Sequence, residues 1–539
     1  MKKLLLGIAA LCCLYNVGYS QLIAFPGAEG FGKYAKGARA SSSPTVYHVT
    51  NLNDSGTGSL RDAVSASNRI VVFDVAGVIK ITSRIVVSSN IYIAGQTAPG
   101  EGITVYGNGF SYSGANNVIC RYLRMRMGAV GDSGKDACGI ADGNNMIFDH
   151  VSVSWGRDET FSVSGTAISN ITIQNSVISQ GLLSHSAGGL IQTDGGVTLY
   201  RNLYVDNDTR NNKIKGVNQY VNNMVYNWSS GAYLMGGDSE GQSYANCVSN
   251  YFVNGPENSV NALSGANANF HIYAADNWWD RNRNGIFDGY LVPQSEYSGG
   301  PDFQTTPYAY PALPTWPAQS LVDSLLPGVG ASLPYRDLID YYVIDQLKSF
   351  GKKGEIITNE TENPVGTPSQ WTMWAGTKRT DTDNDGMPDA WETANGLNPN
   401  LASDAVAIAA NGYLNIENYI NSITKSYSQD FLRAPLCLVS DSATQNLIYL
   451  SWFDFTEKEQ GYCVEKKVNG VYTEIARTGM NGNKYLIAGL SPEETISIRV
   501  RAFNAAGYST YSNELTVKTK PIPVPVLDLV TYQPDLIWN

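Results

Sequence analysis

The chain has 539 residues, 43% of them apolar and only 16% charged, with a formal net charge of −11. That length exceeds one ordinary core, so several domains or a repetitive architecture are required. With 53 Gly, 33 Tyr and little charge, the composition reads as β-rich and extracellular, which excludes a disordered chain and a nucleic-acid binder.

The first element expected is a signal peptide over residues 1–20. Lys2 and Lys3 precede an apolar run at 4–14, and Gly18 and Ser20 suit cleavage after Ser20. That run is too short to span a bilayer and no later stretch is suited to it, so no transmembrane segment is expected and the protein should be secreted. Cys12 and Cys13 raise a lipoprotein alternative, but Leu11 stands where a small residue is preferred. Beyond the signal lie Cys120, Cys138, Cys247, Cys437 and Cys463. An odd, scattered set without C-x-x-C spacing fits neither a zinc site nor a disulfide framework, and reads as small buried hydrophobes.

From about residue 67 to 280 a loose unit recurs: a polar turn, an Asn, then a short alternating strand. N-N-V-I-C-R-Y-L-R-M at 116–125, N-N-M-I-F-D-H-V-S-V at 144–153 and S-N-I-T-I-Q-N-S-V-I at 169–178 show it, and three further copies follow to residue 253. A spacing of roughly 22 to 28 residues is one coil of a solenoid. Period-two alternation gives strands with one face inward. Such short strands cannot form helical repeats, and the regular Leu spacing of leucine-rich repeats is absent. The expected class is all-β, a parallel β-helix with turn Asn residues stacked between coils; an antiparallel sandwich is the competing arrangement.

After about residue 300 the character changes. The Pro-rich stretch 307–317 is a loop, and 335–348 reads as an amphipathic helix with Leu338, Ile339, Tyr342, Val343 and Leu347 on one face. This helix is expected to cover an open end of the solenoid, whose last coil exposes unpaired strand edges. Residues 353–380 look like a linker. They lead into D-T-D-N-D-G-M-P-D-A-W-E at 381–392. Asp381, Asp383, Asp385, Asp389 and Glu392 fall at positions 1, 3, 5, 9 and 12 of an EF-hand-type calcium loop, with Gly386 at the sharp turn. A short helix within 411–423 is expected to complete this module, making its calcium structural.

Residues 434–519 carry hairpin-spaced strands at 448–452, 461–467 and 496–504. This unit resembles a fibronectin type III domain, with Trp452 as core Trp and G-L-S-P-E-E-T at 489–495 leading into a long strand. Ile496 stands where that family usually has its corner Tyr. The expected organisation is therefore a signal peptide at 1–20, a β-helix domain at 21–355, and a linker with calcium loop at 356–430. The sandwich at 434–519 and a Pro-rich tail at 520–539 complete it.

F-P-G-A-E-G-F-G at 25–32, V-T-N-L-N-D-S-G-T-G-S-L-R-D-A-V at 49–64 and I-A-G-Q-T-A-P-G at 93–100 resemble the start of a polysaccharide lyase family 1 domain, the pectate lyases. M-I-F-D-H-V-S-V-S-W at 146–155 is similar to that family's aromatic-x-Asp-His strand. The resemblance covers most of residues 24–350. It implies a right-handed parallel β-helix, a polygalacturonate or pectin substrate, and β-elimination assisted by Ca2+, with no nucleic acid involved and a monomer expected.

Carried over residue by residue, Asp136 matches a primary calcium ligand. The family's second acid, two residues earlier, is replaced here by Gly134, with Asp132 a possible substitute. Asp158 or Glu159 in W-G-R-D-E should supply another carboxylate. T-R-N-N-K-I-K-G at 209–216 resembles the strand bearing the catalytic Arg, which assigns Arg210 as base and Lys215 as charge partner. His185 stands where a substrate-binding Lys often occurs, and Lys135 and Lys213 join it as substrate contacts. Arginine holds its proton to beyond about pH 12, so an alkaline optimum is expected. Asp149 and His150 read as turn or stacking residues, and His48 and His271 as structural.

Net acidity suits an acidic polymer poorly, but much of the acid follows residue 355. Arg121, Arg124, Arg126, Lys135, Arg201, Arg210, Lys213 and Lys215 lie mid-chain, and local field steers a charged substrate. The competing functions are a polygalacturonase-type hydrolase, which needs a tight aspartate cluster, a pectin lyase without calcium, and a non-catalytic pectin-binding protein of the same fold.

Overall fold

The computed structural model describes residues 21–236, 241–425, 431–456 and 458–523. The expected signal peptide and most of the expected Pro-rich tail lie outside these residues.

Each coil of the solenoid contributes strands to three parallel faces. One coil runs Ala115–Arg121 on a back face, Arg124–Arg126 on a side face and Cys138–Ile140 on a front face before Gly143–Asp149 rejoins the back. Back-face register pairs Val118 with Met146, Ile171 with Val197, Val197 with Asn218, and Ala245 with Ile272, all in parallel. Coil advance among these pairs runs from 21 residues (Val197 to Asn218) to 28 (Val118 to Met146), and the last pairing, His271 with Asp302, advances 31. Strands Ala187–Tyr200 and Thr209–Val221 run from front into back face through irregularities in their mutual register.

The inward positions explain the repeat. Val71, Ile93, Cys120, Phe148, Ile173, Leu199, Tyr220 and Cys247 align coil on coil and are all buried in one core. Cys138 and Cys463 are buried too, Cys437 is half-buried, and all five described cysteines are free thiols. A buried polar row runs alongside. The backbone N–H of Asn202 donates to Asn223 Oδ1 (2.9 Å), that of Asn223 to Asn250 Oδ1 (2.8 Å), and that of Asn250 to Asn277 Oδ1 (3.2 Å). This ladder satisfies turn amides that burial would otherwise leave unpaired.

From Tyr122 onward, back and side strands meet at a single left-handed residue in each coil. Tyr122, His150, Asn175, Arg201, Asn222, Ser249 and Asp276 all have φ between 51° and 56°. His150 accordingly sits at a corner, its ring stacked on Tyr122 at 4.7 Å.

The helix Leu60–Ser65 closes one end of the solenoid with Leu60, Ala63 and Val64 in its core. At the other end Tyr290–Leu291 pairs antiparallel with Trp278–Asp280, and Val292 and Tyr297 enter the core. The predicted amphipathic helix forms as Leu338–Lys348, capped by the Asp337 side chain. Ile339, Val343 and Leu347 are buried as expected, but the helix does not cover an end. It lies along the side face, against Val177, Leu203, Met224 and Tyr226, because those outward side chains form an apolar stripe that itself requires cover. Residues 353–380 are likewise no free linker: Ile357, Glu360 and Val365 are buried, and Tyr106 Oη donates to Glu360 Oε1 at 2.7 Å.

Helices Asp389–Asn395 and Asn415–Ser422 form a small module on the back face. The C-terminal unit is a sandwich of two antiparallel sheets. Leu436–Ala443, Leu447–Phe453 and Lys484–Ala488 face Gly461–Val468, Val471–Arg477, Thr495–Asn504, Gly507–Tyr508 and Leu515–Lys518. Its core contains Trp452, Tyr462, Ile496 and Val500.

Candidate active site

Successive coils cross from the side face to the front face through loops, and stacking of coils stacks the loops. Asp136, then Asp158 and Glu159, then His185, then Arg210 lie on four consecutive crossings. The front ladder sets their register: Glu159 bridges to Ala187, and Ala187 pairs with Thr209 beside Arg210. Glu159 N donates to Asp136 Oδ1 (3.2 Å), and the Arg210 guanidinium forms an ion pair with Glu159. His185 Nε2 lies 3.3 Å from Asp158 Oδ1 and 3.9 Å from Glu159 Oε1. Ligand atoms of Asp158, Glu159 and His185 fall within 4.8 Å of one another. Glu159 is 5% exposed, whereas the Asp158 side chain is 41% exposed. Both carboxylates flank the same space, Glu159 on the inside and Asp158 on the outside.

Burial pushes the Asp136 carboxyl up to about 7, and the Glu159 carboxylate adds to the shift. Clustered acids of this kind disfavour their own ionisation and are a receptive donor set for a hard cation. Arg84, which no sequence pattern marks, holds this arrangement: its guanidinium donates to the backbone oxygens of Asp136 (2.6 Å) and Phe110 (2.9 Å).

On the strand Thr209–Val221, Lys213 and Lys215 alternate with buried Asn212 and Ile214. Both lysines therefore project from the front face, opposite Leu190 and Gln192 respectively. Lys135 is exposed, and its carbonyl accepts from the N–H groups of Arg157 and Asp158, each at 3.1 Å. Gly134 has φ of 63° and open space around it, and Asp132 is exposed.

The other expected steering cations are elsewhere. Arg124 and Arg126 are fully buried on the side face, where Arg126 Nη2 reaches Asp337 (2.7 Å) and Asp340 (2.8 Å). Arg121 pairs with Asp149 at 2.9 Å and lies 4.0 Å from the centre of the Phe25 ring. Arg201 lies 3.4 Å over Trp316. Outward-facing side chains on the side and back faces are covered by the N-terminal segment and by segments after the solenoid, so these charges are structural.

A second acidic cluster occupies the predicted calcium loop. Asp381, Asp383 and Asp385 lie within 4.8 Å, as do Asp385, Glu392 and Asp404. Asp389 does not join them: its carboxylate accepts from Thr382 N and Oγ1, both at 2.7 Å, at the start of helix Asp389–Asn395. Asp404, outside the loop motif, takes part instead. Burial and the neighbouring carboxylates push Asp385 and Glu392 up to about 7.

No family model matches the chain. A protein named probable pectate lyase C from Neosartorya fischeri is 54% identical over 425 residues, spanning 78% of this chain and 98% of its own. The protein of the same name from Aspergillus fumigatus is 53% identical over 427 residues, spanning 79% and 98%. The crystal structure of Jun a 1, the major cedar-pollen allergen, overlaps 56% of this chain and 92% of its own, at 18% identity and a TM-score of 0.41. At more than half identity across nearly the full length of these relatives, the chain belongs to the pectate lyase family.

Proposed function

We propose that this protein is a secreted enzyme that cleaves polygalacturonate by calcium-assisted β-elimination, with Arg210 as the base. The observation that carries this reading is the convergence of Asp136, Asp158, Glu159, His185 and Arg210 from four separate coils onto one front-face position. The donor set suits calcium: carboxylate oxygens are hard ligands, and the Asp136 carboxyl is raised first by burial and then by the Glu159 carboxylate beside it. Asp136, Asp158 and Glu159 would hold the ion.

When bound, calcium draws electron density from the uronate carboxylate and so acidifies the neighbouring C5–H. Arg210, held at the mouth of the cluster by Glu159, takes that proton in its neutral form. The electron pair left behind forms the C4–C5 double bond as the C4–O bond breaks, and the departing oxygen takes a proton from solvent water. Lys215 supplies positive charge where negative charge develops, and Lys213, Lys135 and His185 contact further uronates. The sandwich at 434–519 is proposed to be a fibronectin type III-like unit used for spacing or docking.

Ultraviolet absorbance of the unsaturated product tests the reaction. Polygalacturonate with calcium should yield rising absorbance that chelator abolishes. Reducing ends without new absorbance would instead identify a hydrolase.

A further inference from the structure

We propose that Asp381, Asp383, Asp385, Glu392 and Asp404 enclose one calcium ion that clamps the module at 381–423 onto the back face of the solenoid. The ligand is marked by what the protein leaves unmet. Asp383 Oδ1 and Oδ2, Asp385 Oδ2, Glu392 Oε1 and Oε2, and Asp404 Oδ1 are buried without a hydrogen-bond partner, six oxygens in all. Asp385 is 2% exposed and Glu392 is fully buried, and their free oxygens face the shared space. Among the described residues, no ion pair reaches any of the five acids. Uncompensated buried carboxylates are severely disfavoured, and an all-oxygen set of six or more donors is what calcium takes.

The cage is mechanically tied to its surroundings. Asp404 lies between the helices Asp389–Asn395 and Asn415–Ser422, so an ion held by both Glu392 and Asp404 joins the two halves of the module. Within the loop, Gly386 adopts φ of 93°, and a Cβ there would meet Val46 at 3.0 Å, Ile416 at 3.2 Å and Val72 at 3.4 Å. The next residue, Met387, is fully buried in a cluster with Val72, Tyr92, Ile119 and Ile147 of the back face. Two polar contacts complete the seam: Arg39 with Glu417 at 2.7 Å, and Arg121 Nη1 donating to Asn421 Oδ1 at 3.1 Å. Without the ion, five like charges open the loop, and Gly386 and Met387 leave the back face. The clamp does not depend on the chemistry proposed at Arg210.

The test uses the full chain, stripped with chelator and titrated with calcium chloride. Bound ions are counted by equilibrium dialysis, and hydrogen exchange is followed on peptides from 381–423 and from strand Arg69–Phe73. Calcium should restore protection to both in the wild type, while peptides from 143–226 stay protected throughout. Asp404→Asn should lose one ion per chain and the calcium-dependent protection of 381–423. Glu159→Gln should lose a different ion and keep that protection, so an unchanged count in Glu159→Gln would sink the catalytic calcium and leave the clamp standing. Exchange at 381–423 that ignores calcium in the wild type, or wild-type stoichiometry in Asp404→Asn, would overturn the clamp. The wild-type measurement requires no variant to fold.

Discussion

Two acidic clusters in this molecule are solved in opposite ways. On the front face, Glu159 has a cation of the protein's own, Arg210, and His185 stands against Asp158. In the module, five acids meet with no side-chain cation among the described residues and six buried oxygens lack partners. On the proposed roles, a front-face site that admits and releases substrate would be tolerable when empty, whereas a module site whose ion only holds structure would leave its charge for that ion to neutralise. Asp149 marks the limit of internal compensation. Burial alone would raise its carboxyl, but His150, Arg121 and hydrogen bonds from Gln174 and Asn175 hold it well below the usual carboxylate range.

The largest effect expected separates chemistry from scaffolding. Arg210→Ala should reduce product absorbance by about 10²–10⁴-fold, with little change in melting temperature, since Arg210 is partly exposed. A large loss of melting temperature would move Arg210 to the structural side of the contrast. Arg126→Ala should do the reverse. Breaking a buried pair leaves Asp337 and Asp340 uncompensated, for about 3–5 kcal/mol, so thermal melting should shift strongly while turnover per folded molecule persists. Retained stability would mean that the side-face charges are not structural.

A smaller effect is expected at Asn223→Ala. It strips the ladder amide that receives from Asn202 and donates to the Leu199 carbonyl, costing about 1–3 kcal/mol by thermal melting. The last effect, at Asp149, is read from its pH dependence, because it should be present near neutral pH and shrink in acid. Its folded pKa is depressed, so its stabilisation is present above the unfolded value of about 3.9 and fades as pH falls through the lower folded value. The gap in melting temperature between wild type and Asp149→Asn should therefore be constant near neutral pH, begin to narrow below about pH 4 and keep narrowing below about pH 3. Curves that stay parallel would mean that Asp149 carries no such linkage.

Much of this was legible from local pattern. The coil period, the inward-facing cysteines and the corner position of His150 follow from alternation and turn spacing, because solenoid contacts recur at one nearly constant separation. Motif resemblance pointed to Asp136, Asp158, Glu159 and Arg210, and the stacked crossings bring them together. Arg84 was not legible, since its bond to Asp136 spans 52 residues and carries no motif. Asp404, which the cluster brings beside Asp385 and Glu392, was not legible because a calcium loop read as 12 contiguous positions ends before it. Asp389 was expected in that loop for the same reason, and is instead spent on Thr382.

The sequence by itself determined which residues of each coil point inward, since a period of two leaves no freedom once one face must be dry. It could not determine what would cover the outward residues. Arg124, Arg126, Lys213 and Lys215 all look outward from their strands, yet the two arginines are buried beneath the segment from Ala331 to Asp340 and the two lysines stay on the front face. Only the path of the chain after residue 300 decided that, because covering contacts form between segments some 200 residues apart, as between Arg126 and Asp337. Local sequence does not encode contacts at that distance.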